Sequence, residues 1–460
     1  MKYFFLFSIS VWVLLGCRSK SVPGNEDSTS VLSPKPFDSS IVHGQILSSV
    51  TCKDDTNFNY VLFLPSKYSL HGKYPVLFLF DPHANGIIPV KKYKSIADSL
   101  SLILIASNNS QNGQDPGVSQ QIFEKLFSDA AARFAINQSE IYTCGLSGGA
   151  RVAVLLAMQN AFVTGAIGCG AGFPSENLPN RAFAYVGIAG TQDFNYPEML
   201  QLDSLLNQTY FPHVMLYFNG KHEWPPADVL YKSLQYILLQ KQVITQNIFA
   251  QDSLKLLQLM HASQWLDAYQ LASNMLHVYT NKSTWMTLRM NDIANNPYYN
   301  SDSRDFKSLV QEEKIREALF ANSFTSRELS WWQNEITNLR VLANTRAVTG
   351  ESAKRLINYI SMLGYIYTDN ALKSGMPDAA AHYLQIYQFD DSQNPDVYYL
   401  SAVLAMSHGQ TSRALSLLQQ SAALGLTDIQ RLLQESAFAS LLQQPQYQQV
   451  VQTVEQNIQK

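Results

Sequence analysis

"YTCGLSGGAR", residues 142–151, sets an apolar run against a glycine-rich turn and then a helix-compatible stretch. Its centre, Gly145-Leu146-Ser147-Gly148-Gly149, is a G-x-S-x-G pentapeptide. Where such a pentapeptide joins a buried strand to a helix, the sharp turn lifts the serine hydroxyl from the edge of the sheet. Elsewhere it is a tight turn with a small residue in it. The flanks favour the first reading, with 141–144 strand-like and 149–158 ("GARVAVLLAM") helix-like. Gly145 and Gly148 leave room for a close approach, and Gly149 lets the first helical turn pack tightly. The helix N-terminus would also direct N–H groups at developing negative charge.

Outward from this stretch, short β-rich runs alternate with helical patterns between about 45 and 245. Strands are expected at 60–64, 76–80, 102–106, 141–145, 166–170, 184–189 and 214–218. Most are continuously apolar, as strands buried on both faces should be. The fold class is therefore α/β, a mostly parallel sheet flanked by helices. After about 246 the strand-like runs vanish and amphipathic helices continue to the end. There, residues recur 34 apart: Tyr365 with Tyr399, Ala371 with Ala405, Gly375 with Gly409, Ala380 with Ala414, Leu384 with Leu418. "SQWLDAYQLA" (263–272) is a degenerate copy around Ser263 and Ala268. The stretch from about 285 to 350, with Trp331 and Trp332, fits no repeat, and its helices are expected to pack the repeats together or against the first domain.

A serine hydroxyl is a weak nucleophile until a histidine takes its proton and a carboxylate orients that histidine. "AYVGIAGTQDFNY" (184–196) runs from a strand into Asp193, and "VMLYFNGKHEWP" (214–225) runs from the last strand into His222. Each is a polar side chain on a loop that follows an apolar strand-like run. Glu198 is a second candidate acid, further from its strand. His213 precedes its strand and so falls at the opposite sheet edge.

Composition narrows the function classes. The 460 residues are 46% hydrophobic and 15% charged, with a net charge of −3 and no long basic run, which argues against nucleic acid as a partner. Lys2 and the short apolar stretch 3–15 form an export signal rather than a membrane span. Cys52, Cys144 and Cys169 are odd in number. Cys144 and Cys169 lie in apolar strand-like runs and are expected to be unpaired. No C-x-x-C occurs and the histidines are scattered, so a metal site has little support.

Three resemblances add to this reading. Leu14-Leu15-Gly16-Cys17 resembles the lipobox of bacterial lipoproteins. It implies cleavage before Cys17, lipidation of Cys17 and tethering of an exported protein to the cell envelope, with 18–44 as a flexible tether. The 34-residue period, clear over 360–427 and weak elsewhere, resembles the tetratricopeptide repeat, which implies a repeat-like helical domain over 246–460 and a surface open to a protein partner. The pentapeptide with Asp193 and His222 in that order resembles α/β-hydrolase-fold serine esterases, especially the group of feruloyl esterases and polyhydroxybutyrate-depolymerase-like proteins. This likeness covers 45–245.

The hydrolase resemblance implies Ser147 as nucleophile, His222 as base and Asp193 as orienting acid, with no cofactor and no metal. It also implies an oxyanion site from the N–H of Gly148 and one from the loop "DPHANG" (81–86). Relatives have His-Gly at the start of that loop. Here Asp81-Pro82 stands instead, and Pro82 has no N–H, so the second donor is expected at His83, with Ala84 next. The loop "SNNSQNGQDPG" (107–117) either borders the same mouth and contacts substrate or is only a turn-rich polar loop. The expected activity is cleavage of a carboxylic ester, on a small molecule or a polymer. The alternative is an envelope-anchored scaffold that binds a protein on its helical repeats while the hydrolase fold is inactive.

Overall fold

The computed structural model describes residues 42–175, 178, 182–209, 211–239, 247–345 and 348–459. Cys17 and the expected boundary at 245/246 lie outside the described residues. Eight strands form one sheet: β1 (Ile46–Thr51), β2 (Asn59–Phe63), β3 (Tyr74–Phe80), β4 (Ile103–Ser107), β5 (Ile136–Leu146), β6 (Val163–Cys169), β7 (Ala184–Gly190) and β8 (His213–Phe218). Their order is β1-β2-β4-β3-β5-β6-β7-β8. β2 runs antiparallel to both β1 and β4, and every other pairing is parallel.

Four helices lie between these strands, α1 (Ile87–Ser99), α2 (Pro116–Arg133), α3 (Gly148–Gln159) and α4 (Tyr196–Asn207), and a fifth, α5 (Ala227–Leu239), follows β8. One sheet face packs on α2, α3 and α4 through residues such as Phe123, Val154 and Met199. The other packs on α1 and α5 through Val90, Tyr93 and Leu234. This is the expected mostly parallel sheet flanked by helices, with each expected strand present within a few residues of its place. β1 was not foreseen from the sequence. Its "ILSSVT" is exposed at two serines and at Thr51, so it lacks the continuous apolar signature of its neighbours.

The helical region consists of α6 (Asn247–His261), α7 (Trp265–Val278), α8 (Ser283–Ala294), α9 (Pro297–Ser323), α10 (Leu329–Ala343), α11 (Val348–Lys373), α12 (Pro377–Asp390), α13 (Pro395–Ser407), α14 (Thr411–Ala423), α15 (Ile429–Gln434) and α16 (Pro445–Gln459). Gly375 and Gly409, 34 apart, have φ of +67° and +68°. They close equivalent turns, in which the N–H of Met376 bonds to Ala371 O and that of Gln410 to Ala405 O. Ser263 turns the same way at φ +57°, with Gln264 N–H on Leu259 O. In each case the alanine five residues after the turn, Ala268, Ala380 or Ala414, is fully buried. Trp332, also fully buried, packs among α9, α10 and α11 with Phe320, Ile336 and Leu356.

These helices belong to the same packing unit as the sheet. Met275 of α7 and Met286 of α8 share a hydrophobic core with Val186 and Val214. β8 is an edge strand, and open strand edges invite non-native pairing. Asn274 of α7 covers it, its carboxamide accepting from Met215 N–H at 2.9 Å and donating to Met215 O at 2.7 Å.

One group in this region makes stability depend on pH. The Glu317 carboxyl on α9 is pushed up from its ordinary 4.5 to about 7, by burial first and by the neighbouring Glu313 charge second. Between those values the folded protein holds a proton that the unfolded chain has released. Stability therefore falls as pH rises through that window and stays lower above it. Because part of the side chain is open to solvent, the loss is about 1–2 kcal/mol. Glu317→Gln is expected to remove it, so that urea melts at pH 5 and pH 8 differ by that much less in the variant.

Candidate active site

Ser147 sits where β5 ends and α3 begins, at φ 56° and ψ −123°. A non-glycine residue at positive φ stores about 1–3 kcal/mol of strain, which the surrounding packing must hold. Here the Ser147 N–H bonds to Cys169 O of β6 at 2.8 Å. The inner face of α3, with Ala153, Val154, Leu156 and Ala157 fully buried, anchors the other side. At Gly149 a Cβ would lie 2.0 Å from Phe80 O, so no larger residue fits between helix and β3.

The other two expected members of the triad meet. His222 Nδ1 is 2.8 Å from Asp193 Oδ1. Asp193 is 1% exposed, and its Oδ1 also accepts the Asn195 N–H at 2.8 Å. Their loops are tied together: Thr191 N–H bonds to Phe218 O and Gln192 N–H to Gly220 O. The Phe194 ring packs against the imidazole, tilted by 31°, at 4.3 Å between centroids. Gly170, at φ +65°, lies beneath the pair. A Cβ there would be 2.9 Å from Asp193 Oδ2 and 3.0 Å from His222 Nδ1.

Ser147 and His222 line one cavity of about 410 Å³ with Asp81, His83, Asn112 and Trp224. The alternatives fall elsewhere. Glu198 accepts from Gly172 N–H and pairs with Arg151 at 2.9 Å. His213 is buried at the start of β8 against Asp203. Cys52, Cys144 and Cys169 are free thiols, all buried. Burial pushes the Cys144 thiol well up, which keeps it protonated and inert.

The expectation for His83 needs correction. Its backbone N–H donates to Asp81 Oδ1 at 2.9 Å and is not left free for a substrate oxygen. Asp81 is a carboxylate only 3% exposed, and a buried charge recruits donors. It takes the His83 N–H, and its Oδ2 takes Trp224 Nε1–H at 2.9 Å. Ala84 N–H is used too, on Asp81 O at 3.2 Å. The His83 side chain reaches the cavity and lies 3.7 Å from Asp428 Oδ2.

Asn112, Thr427 and Asp428 were not singled out from the sequence, although the loop 107–117 that carries the first was expected at the mouth of the site. Asn112 belongs to the polar loop after β4. Its carboxamide lies directly over Gly148, where a Cβ would be 1.8 Å from Asn112 Oδ1. Thr427 and Asp428, between α14 and α15, close one side of the cavity, and Thr427 O accepts from Asn85 Nδ2 at 3.2 Å. No local pattern marks a wall that arrives from more than 300 residues along the chain.

No protein-family model matches the chain, and no curated protein matches it. Among solved structures it is similar to S-formylglutathione hydrolase from Staphylococcus aureus, at 14% identity and TM-score 0.36, over 43% of this chain and 99% of that one. It is also similar to a fluorophosphonate-binding serine hydrolase of Staphylococcus aureus, at 12% identity and TM-score 0.35, over 42% and 97% of the two chains. A third is the feruloyl esterase module from Clostridium thermocellum complexed with sinapinate, at 13% identity and TM-score 0.34, over 42% and 87%.

Proposed function

We propose that the protein is a serine hydrolase that cleaves carboxylic esters through an acyl-enzyme on Ser147. The observation that carries this reading is one arrangement. A serine held at φ 56° heads α3 and shares a cavity with His222, whose Nδ1 is 2.8 Å from the buried Asp193. Ser147 Oγ attacks the ester carbonyl as His222 takes its proton. The tetrahedral intermediate collapses and expels the alcohol, which leaves with that proton. Water, deprotonated by the same histidine, then releases the acid and restores the serine. Asp193 holds the ring so that Nε2 is the working nitrogen. The chemistry requires no metal and no organic cofactor.

The oxyanion takes one donor from the Gly148 N–H at the start of α3. For the second we place the Asn112 carboxamide, which lies over Gly148 and has its backbone N–H anchored on Pro82 O at 2.9 Å. Half a turn of the amide brings Nδ2 to the position of Oδ1. The protein is proposed to work outside the cytoplasm, tethered through a lipid on Cys17, with the repeats of its helical region available to a protein partner.

The reading is tested with a fluorophosphonate probe on protein starting at residue 18, followed by peptide mapping of the adduct. Labelling confined to Ser147 supports it, and an unlabelled Ser147 sinks it. In the same series, Asn112→Ala is expected to lower kcat on p-nitrophenyl acetate about 100-fold, as loss of one oxyanion donor does. An unchanged kcat would show that Asn112 is not the second donor.

A further inference from the structure

The loop that carries Asp193 is held from the helical region. Three residues on one face of α11, spaced four and then three apart, reach the two residues before the acid. Glu351 Oε2 accepts from Thr191 Oγ1 at 3.1 Å. Arg355 NH1 donates to Thr191 O at 2.7 Å. Asn358 Nδ2 donates to Gln192 O at 2.7 Å. Residues at i, i+4 and i+7 share one helix face, so a single surface of α11 grips the loop.

The central member of this grip is rigid. Arg355 is 1% exposed and forms a two-bond fork with the equally buried Glu313 of α9, both bonds at 2.7 Å. Ser352 Oγ donates to the same carboxylate at 2.8 Å. The guanidinium lies over the Tyr196 ring at 4.8 Å, and Tyr196 N–H bonds to Asp193 O. The planar fork leaves one N–H pair aimed at Thr191 while the rest of the group is spent on Glu313. Asp193 thus stands between two fixed points, Gln192 on α11 and Asn195 on its own side chain.

We propose that Arg355 and Asn358 are positioning residues for the Asp193–His222 pair, and that the helical region is part of the catalytic machinery. This inference rests on the serine-hydrolase reading above. Neither residue touches the substrate cavity, so their influence passes through the carbonyls of Thr191 and Gln192 to Asp193. A displacement of about 1 Å at a catalytic group can cost on the order of 100-fold in rate.

The experiment compares full-length wild type with Asn358→Leu, which keeps the shape and removes the donor. Arg355→Lys, which keeps the charge and loses the fork, and Lys373→Ala, exposed on the same helix, complete the set. Expected for Asn358→Leu is a fall in kcat on p-nitrophenyl acetate of at least about tenfold, with KM unchanged within about twofold. The fluorophosphonate labelling rate should fall by the same factor. The downfield proton resonance of the His222–Asp193 hydrogen bond should shift or vanish while the melting temperature stays near that of wild type. Lys373→Ala should match wild type throughout. Labelling and kcat within twofold of wild type in both Asn358→Leu and Arg355→Lys would overturn the inference while leaving the hydrolase reading intact. An unlabelled Ser147 in wild type would overturn both.

Discussion

Asp193→Ala is expected to lower kcat by about 10⁴-fold with KM little changed, and Asp193→Asn by only about 100-fold. The alanine variant removes the acceptor that fixes the imidazole, so His222 loses both its orientation and the partner of its charged form. The asparagine variant is milder for a local reason. Asp193 Oδ1 accepts from His222 Nδ1 and from the Asn195 N–H, each at 2.8 Å. An amide flipped to present its NH₂ there would face the Asn195 donor. The oxygen therefore stays in place, the tautomer is preserved, and only the negative charge is lost. Exchanging a charged for a neutral acceptor is worth about 2–3 kcal/mol, which is the predicted 100-fold. Steady-state kinetics on p-nitrophenyl acetate decide the matter. Equal damage by the two substitutions would show that the asparagine does flip. In either background, adding Ser147→Ala should bring activity to a common floor, because the three residues act as a unit.

How much of this was legible in the sequence follows from what each feature depends on. Ser147, Asp193 and His222 each follow a continuously apolar run, and a parallel sheet brings the carboxyl ends of such strands to one edge. Chain order and strand ends were enough to bring two of them together and the third to the same cavity. β1 was missed because an edge strand with one wet face carries no such run. The second oxyanion donor was misplaced because counting along the chain from β3 cannot see Asp81. That carboxylate folds back onto its own loop and uses the very N–H that the count selects. Asn112 lies in a loop (107–117) expected at the mouth, but a turn-rich polar pattern does not single out one residue within it. Arg355, Asn358 and Thr427 belong to long-range contacts, and nothing in the local pattern of an amphipathic helix says which sheet loop it meets. A faint sign existed for Arg355, since a charge on the apolar stripe of α11 needs a buried partner.

Glu313→Ala is expected to destabilise the protein by about 3–5 kcal/mol, because one-sided removal of a buried ion pair strands the remaining charge. Arg355, 1% exposed, would keep only its bond to Thr191 O. The loss should be smaller at pH 8 than at pH 5. Glu317 lies one turn further along α9, and its carboxyl is held protonated up to about 7 partly by the Glu313 charge itself. With Glu313 gone, Glu317 can ionise towards the guanidinium at the higher pH and replace some of the lost attraction. Urea denaturation of both proteins at the two pH values measures the difference. The double variant Glu313→Leu/Arg355→Met separates stability from function. Apolar groups of similar volume in place of a buried pair are near neutral for stability. The double variant should therefore melt close to wild type, yet kcat should stay low because Thr191 O still lacks its donor. Recovery of the melting temperature without recovery of turnover is the pattern a catalytic clamp requires, and recovery of both would reduce the Glu313–Arg355 pair to a packing element.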